Sequence, residues 1–273
     1  MYTKSSGGGK RRQPGAVKSA ERALQVLDLF TARERALTFT EIGEVLDIPP
    51  SSLHGLLRTL VSRGWADYSE TTRRYALGIR ALEAGNAYTR SFGLPDRARP
   101  YMEEIRDEID ETVQLAVLDG RYNVYVAKVD GGHALTLASE VGRRLPAHAT
   151  GLGKVLLASL PPQRLADLLG DVRLERFTGN TIADLPTLRR YFAEVRRRGF
   201  ALDNEEYSIG VRCVAAPVQD SGGQTVAAMS VSVPTPRFDR RRREVALRLL
   251  LEGTDRLSAA LGYTRADDRG AVR

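Results

Sequence analysis

The sequence predicts an α+β protein in two parts: a winged helix-turn-helix, then an antiparallel sheet flanked by helices. Three observations support this. Apolar residues recur at helical spacing three times before residue 63, the third time directly after two prolines, and two short strand patterns follow. From about residue 97 several segments alternate with period two, separated by Gly-containing turns. Residues 1–90 hold 14 Lys and Arg against 9 Asp and Glu, while the remaining residues hold 27 against 25, so most of the +7 net charge lies in the first third.

Length and composition set the bounds. A chain of 273 residues is long enough for two domains with separate cores, and 42% hydrophobic with 27% charged residues describes an ordinary globular protein. No run of 18 apolar residues offers a transmembrane helix, so no membrane partner is expected. The basic start, "MYTKSSGGGKRRQPG", has no apolar segment behind it and is not a secretory signal. A single cysteine, Cys213, forms no internal disulfide and fits a reducing, cytoplasmic setting.

Residues 1–16 read as a disordered basic arm. Residues 17–77 form the first domain. Its first helix is expected from a Ser19 cap to about Phe30, with Ala20, Ala23, Leu24, Leu27 and Phe30 inward. After the polar "TARERA", Thr38 and Glu41 stand at capping-box spacing and open a short helix with Phe39, Ile42, Val45 and Leu46 inside. Pro49 and Pro50 in "DIPP" force a turn. A third helix, about residues 50–63, carries Leu53, Leu56, Leu57, Leu60 and Val61 on one stripe and ends at Gly64. "WADY", "SETTR" and "RYAL" read as strand, turn and strand.

That order is a winged helix-turn-helix, and the other face of the third helix bears on its use. Ser51, Ser52, His54, Arg58, Thr59, Ser62 and Arg63 lie there, with no carboxylate. Docked through its leucines, such a helix leaves its N-terminal half free for a major groove of double-stranded DNA. Ser51 and Ser52 suit phosphate oxygens. His54, Arg58 and Thr59 suit base edges, and an Arg bidentate to guanine is worth roughly 1–3 kcal/mol of discrimination. Arg63 belongs to the same face, and Arg73 and Arg74 of the hairpin suit the neighbouring backbone or minor groove. Any amphipathic helix has a polar face; here it is the ordered three helices plus hairpin, with a local basic excess, that favour DNA over plain solvated surface.

A helix is expected over residues 78–90, "SFGLPD" breaks it, and residues 78–94 are assigned as a linker. The second domain, residues 95–263, opens with a helix in "RPYMEEIRDEID". Strands follow in "TVQLAVLD", "YNVYVAKVD" and "ALTLASEV", then helices around 151–159, 161–169 and 184–198. Strands in "VRCVAAPVQD" and "QTVAAMSVSVP" come next, and a helix from about 237 to 261 in which Arg240 to Arg243 are expected on the surface. Residues 264–273 read as a disordered tail. The second domain is α+β around an antiparallel sheet.

Several stretches taken together resemble a known family. "VKSAERALQVLDLF", "PPSSLHGLLRTLVSRGW", "LPAHATGLGKVLLASLP", "RGFALDNEEYSIGVRCVAAPV" and "VAAMSVSVP", in this order from about Val17 to Leu261, resemble the IclR family of bacterial transcription regulators. The resemblance implies an operator-binding N-terminal domain, a linker helix used in dimer contacts, and a GAF-like C-terminal domain that senses a small molecule. It also implies a homodimer or a dimer of dimers. Carried over by position, Gly151, Leu152, Asp203, Cys213, Ser230 and Ser232 are expected to line the effector pocket. The implied effector is a small organic acid, a carboxylate or related acyl compound. This suits the residues: Gly151 and Gly153 open a helix whose N–H groups and dipole favour a carboxylate, and Ser230 and Ser232, two apart on a strand, face one side. Asn204 stands where family members often have an acid, Leu152 is larger than usual, and "SVP" replaces "SGP" at residues 232–234.

Other chemistry is weakly supported. "GLGK" is not a phosphate loop, because His148 stands where the first glycine belongs and Val155 where the hydroxyl belongs. Cys213 between Arg212 and Val214 reads by itself as a buried strand cysteine. His54, His133 and His148 are scattered, so neither a structural metal nor a cofactor is indicated. Asp203, Glu205 and Glu206 lack a partner nucleophile and are expected to orient a loop and Arg212. The alternatives are a constitutive DNA-binding protein whose second domain only oligomerises, and an enzyme with a DNA-binding appendage using Cys213 or the acidic cluster.

Overall fold

Three helices docked through leucines, closed by a small sheet, form the first of two compact units, Met1–Ser91 and Phe92–Arg273. The computed structural model describes residues 17–33, 35–133, 140–170 and 172–264. The arm, all of the tail beyond residue 264 and most of "ALTLASEV" lie outside the described residues.

Helix α1 (Lys18–Arg33) already includes Ser19, which is therefore not its cap. Its buried stripe is Val26, Leu29 and Phe30, while Ala20 and Leu24, expected inside, are exposed. Apolar residues cover more than one face of α1, so periodicity alone could not choose between them. Thr38 caps α2 (Phe39–Leu46) in a complete capping box: its Oγ1 accepts from Glu41 N at 3.3 Å, and its own N–H donates to Glu41 Oε2 at 2.7 Å. Ile42 is buried, but Val45 faces solvent, contrary to expectation. Asp47 turns the chain at φ 49°, and α3 (Pro50–Ser62) follows with Leu53, Leu57 and Leu60 buried. Each such leucine stabilises the packing by about 1.5–3 kcal/mol. Strands β2 (Ala66–Ser69) and β3 (Arg74–Leu77) make the wing. A two-residue strand not foreseen, β1 (Leu37–Thr38), pairs with β3 to give the order β1-β3-β2. Helix α4 (Ile79–Phe92) ends at Gly93, whose φ of 60° breaks it.

The second unit is a six-stranded antiparallel sheet in the order β6-β5-β4-β9-β8-β7. Its strands are β4 (Thr112–Asp119), β5 (Tyr122–Val129), β6 (Arg144–Pro146), β7 (Ala201–Asn204), β8 (Val211–Gln219) and β9 (Thr225–Pro234). Of these, β6 and β7 were not foreseen. Period-two alternation sorts the sheet into two faces. Val113, Leu115, Val214, Ala216, Met229 and Val231 pack on α5 (Leu94–Ile109) and α9 (Arg240–Ala260). Ala116, Ala215 and Ala228 face α6 (Gly151–Ala158), α7 (Pro162–Leu169) and α8 (Leu185–Arg198). The small residues on this second face leave room above the sheet.

The arginine run at the start of α9 is not uniformly surface. Arg242 donates to Glu111 Oε1 at 3.1 Å, and Arg237 grips the same carboxylate at 2.9 and 2.7 Å, so the 2% exposed Glu111 is bracketed by two guanidinia. No helix among the described residues is long and apolar enough to cross a membrane.

Candidate functional site

The register of the sheet builds a polar row under α6. Asp203 of β7 lies opposite Cys213 of β8, and Cys213 lies opposite Ser232 of β9. One step along, Ala215 faces Ser230, which faces Gln114 of β4. Asp203, Cys213, Ser232, Ser230 and Gln114 of this row line one cavity of about 170 Å³. Gly151, Leu152, Asp203, Cys213, Ser230 and Ser232, the six residues singled out from sequence, all line it. Gln114, Tyr125, Arg143, Leu145, Thr150, Tyr207, Ser208 and Val211 also line it and were missed. Gln114 was detectable as the one polar residue inside "VQLAV"; Leu145, Thr150, Tyr207, Ser208 and Val211 lie within the quoted motifs but were not singled out, and Tyr125 and Arg143 sit in no motif.

Glycine is required where α6 meets the sheet. A Cβ on Gly151 would stand 2.7 Å from Cys213 Sγ, and one on Gly153 would stand 2.2 Å from the Ala147 carbonyl oxygen. Thr150 caps the helix, accepting from Gly153 N at 3.0 Å and donating to Asn123 at 2.7 Å. The two serines do not simply await a ligand. Ser232 Oγ donates to Gln114 Oε1 at 2.8 Å and Ser230 Oγ at 3.3 Å, so Gln114 orients both hydroxyls and leaves their lone pairs as acceptors.

Outside the cavity lining, a charge pair that sequence reasoning did not find joins α6 to the loop after β7. Lys154, 0% exposed, donates to Glu206 Oε1 and stands 4.6 Å from the centre of the Tyr191 ring. The signal was present: α6 is apolar on every side, so a lysine within it has to be buried. The acidic cluster therefore divides. Glu205 accepts from Arg212 at 3.4 Å and from Gly210 N at 2.8 Å, as expected of a loop-orienting acid. Glu206 serves Lys154 instead, and its backbone N–H donates to Asp203 Oδ1 at 2.9 Å.

Burial pushes the Asp203 carboxyl up to about 7, against the opposing pull of Lys154 and the Glu206 N–H. Burial likewise pushes the Cys213 thiol well above its usual range, with the Asp203 charge adding to it, so the thiol stays protonated and is a poor nucleophile. Among the described lining residues, Arg143 is the one cation and Asp203 the one acid.

On the first unit, Ser51, Ser52, His54, Arg58, Thr59 and Arg63 are all exposed, and α3 contains no acid. Pro50 occupies the first helical turn without a side-chain cap, and the helix itself has no acceptor for the next N–H groups, those of Ser51 and Ser52. Thr59 has already given its hydroxyl proton to the Gly55 carbonyl at 2.9 Å. Arg63 caps the far end of α3. The two wing arginines differ. Arg73 is exposed at φ 53°, whereas Arg74 is held by the Ala36 carbonyl at 2.9 Å and by Glu41 at 3.3 Å. Arg74 is thereby tied into the wing and the α2 cap, with its side chain still 39% exposed.

Two family descriptions match the chain: IclR helix-turn-helix domain over residues 19–70, and Bacterial transcriptional regulator IclR C-terminal over residues 86–259. The chain is 38% identical over 247 residues to the HTH-type transcriptional regulator XynR of Escherichia coli strain K12, covering 90% of this chain and 98% of that one. The crystal structure of the Thermotoga maritima IclR matches with a TM-score of 0.72 at 31% identity, covering 90% of this chain and 99% of that one. An IclR homolog from Microbacterium hydrocarbonoxydans, crystallised with 4-hydroxybenzoate, matches with a TM-score of 0.77 at 25% identity, covering 89% and 100%.

Proposed function

The chain belongs to the IclR family of bacterial transcriptional regulators, a helix-turn-helix DNA-binding domain followed by a C-terminal effector domain, and from that premise we propose that it is a cytoplasmic regulator whose operator binding responds to a small organic acid held in the cavity under α6. It is a regulator and not an enzyme.

The observation that carries the acid reading is the convergence of Gly151, Leu152, Asp203, Cys213, Ser230 and Ser232, from three separate stretches of sequence, on one cavity. At about 170 Å³ it is slightly larger than the ~150 Å³ that holds a benzene molecule, which suits an acid of one ring or a short chain. The ligand of the Microbacterium homolog, 4-hydroxybenzoate, is an acid of that size. The carboxylate meets the N-terminus of α6, where the backbone N–H groups and helix dipole favour an anion, while Ser230 and Ser232 accept from hydroxyl or protonated groups.

DNA is read by the acid-free face of α3. Ser51 and Ser52 take phosphates, and His54 and Arg58 reach base edges, with Arg73 on the flanking backbone. The protein acts as a homodimer or a dimer of dimers, so that two copies of α3 meet successive major grooves. Support for a second copy comes from Val17 and Leu24 on and beside α1 and Ile79 and Leu82 on α4, apolar residues at least 60% exposed.

Thermal unfolding against a panel of aliphatic and aromatic acids, with their amides and hydrazides, tests the effector reading. A true ligand at 100 times its Kd adds roughly 2.7 kcal/mol of stability. The expected result is a selective shift that is lost in Ser230→Ala. No shift with any compound would instead favour the constitutive reading.

A further inference from the structure

We propose that Arg143 reads a second carboxylate on the effector, so that the cavity selects short dicarboxylates over monocarboxylates of the same length. This rests on the acid-binding reading above and narrows its ligand class.

The backbone aims Arg143 by two independent constraints. Its carbonyl accepts from Tyr125 N at 3.1 Å, its N–H donates to Glu140 O at 3.1 Å, and the preceding Gly142 donates to Tyr125 O at 2.8 Å. The alternation of an extended strand then sorts three successive side chains. Arg144 turns away from the cavity, where it donates to Asp119 at 2.5 Å and lies 5.2 Å from the Tyr122 ring centre. Leu145 turns inward and is buried beside Leu152, so Arg143, two positions from Leu145, shares its side and lines the cavity mouth.

Position across the sheet sets the cation apart from the α6 N-terminus. Arg143 leads directly into β6, one edge of the sheet, while Gly151 stands over Cys213 and Asp203 on β8 and β7, at the opposite edge. An acid with one carboxylate at the α6 N-terminus therefore extends its far end along the row of Ser230, Gln114 and Tyr125 toward the cation. The Arg143 charge acts on the Tyr125 hydroxyl, opposing the upward push of burial there, which fits a guanidinium facing that ring. A guanidinium fork gripping a carboxylate in two parallel hydrogen bonds is the strongest neutralisation available at such a mouth. The other cation near the cavity, Lys154, is buried against Glu206 and does not line it.

Isothermal titration of the full-length protein with succinate, glutarate and adipate, each against butyrate, pentanoate and hexanoate, tests this. In the wild type at least one diacid should bind tenfold or more tightly than its monoacid counterpart. Arg143→Gln should abolish that preference, and Arg143→Lys, which keeps the charge but not the fork, should restore part of it. A diacid bound equally by wild type and Arg143→Gln overturns the role of Arg143 while leaving the acid-binding cavity intact. Failure of every acid to bind the wild type removes the acid reading itself, and this proposal with it.

Discussion

At the scale of single residues, Asp203 is where folding and pH are linked. Its carboxyl has an ordinary value of 3.8 and a folded value of about 7, raised first by burial. Between those values the folded chain keeps a proton that the unfolded chain has released, so this group makes stability fall as pH rises from about 4 through 7. The charged groups around it are Lys154 and Glu206, with Cys213 remaining a neutral thiol. Asp203→Asn is neutral throughout and should gain on the wild type as pH increases: comparable at pH 4, relatively more stable at pH 8. Denaturant melts of both proteins across that range decide it, and parallel pH profiles would show that Asp203 ionises in the fold as it does in water. Residues of this kind were only half legible in the sequence. Motif positions led to Asp203 and the two serines, because those motifs are local. Arg143 and Tyr125 enter the same cavity through strand pairing, which joins segments far apart in the chain and leaves no local mark.

Among the elements, α3 is the one whose task its sequence states most openly, since its two faces differ in every residue type. Arg58, exposed in the middle of its acid-free face, is expected to read a base. Arg58→Ala should then weaken operator binding by about 1–3 kcal/mol while changing binding to random DNA much less. Equal losses on both, in titrations at fixed salt, would make it a phosphate contact. The long elements were readable for the same reason α3 was: α5, α8, α9 and strands β4, β5, β8 and β9 repeat their period often enough to be recognised. What escaped were β1, β6 and β7, of two, three and four residues, too short to show alternation and defined only by the neighbour they pair with. The face of α1 was misassigned for a different reason. Val26, Leu29 and Phe30 compete with Ala20 and Leu24 for the inside, and only docking against α2 and α3 decides.

For the whole molecule, the proposed function requires that two sites in different units share one equilibrium. The chain passes from the DNA-binding unit to the effector unit through α4 and the helix break at Gly93, which makes that connection one place where the cavity can act on α3. Thermodynamics makes the requirement strict. If effector changes operator affinity by some factor, operator must change effector affinity by the same factor, whatever path the coupling takes. For a coupling of about 1–3 kcal/mol that factor is 5–150, well within reach of titration. Two measurements on the full chain, operator affinity with and without saturating acid and acid affinity with and without operator, should therefore return one number. A ratio of one in both directions, with the acid still bound, would leave an occupied cavity without a regulatory output. Unequal ratios would mean that ligand also alters how many copies assemble, because only a shift in association state between the two experiments breaks the symmetry. In that case the exposed apolar residues of α1 and α4 become the place where the signal is read.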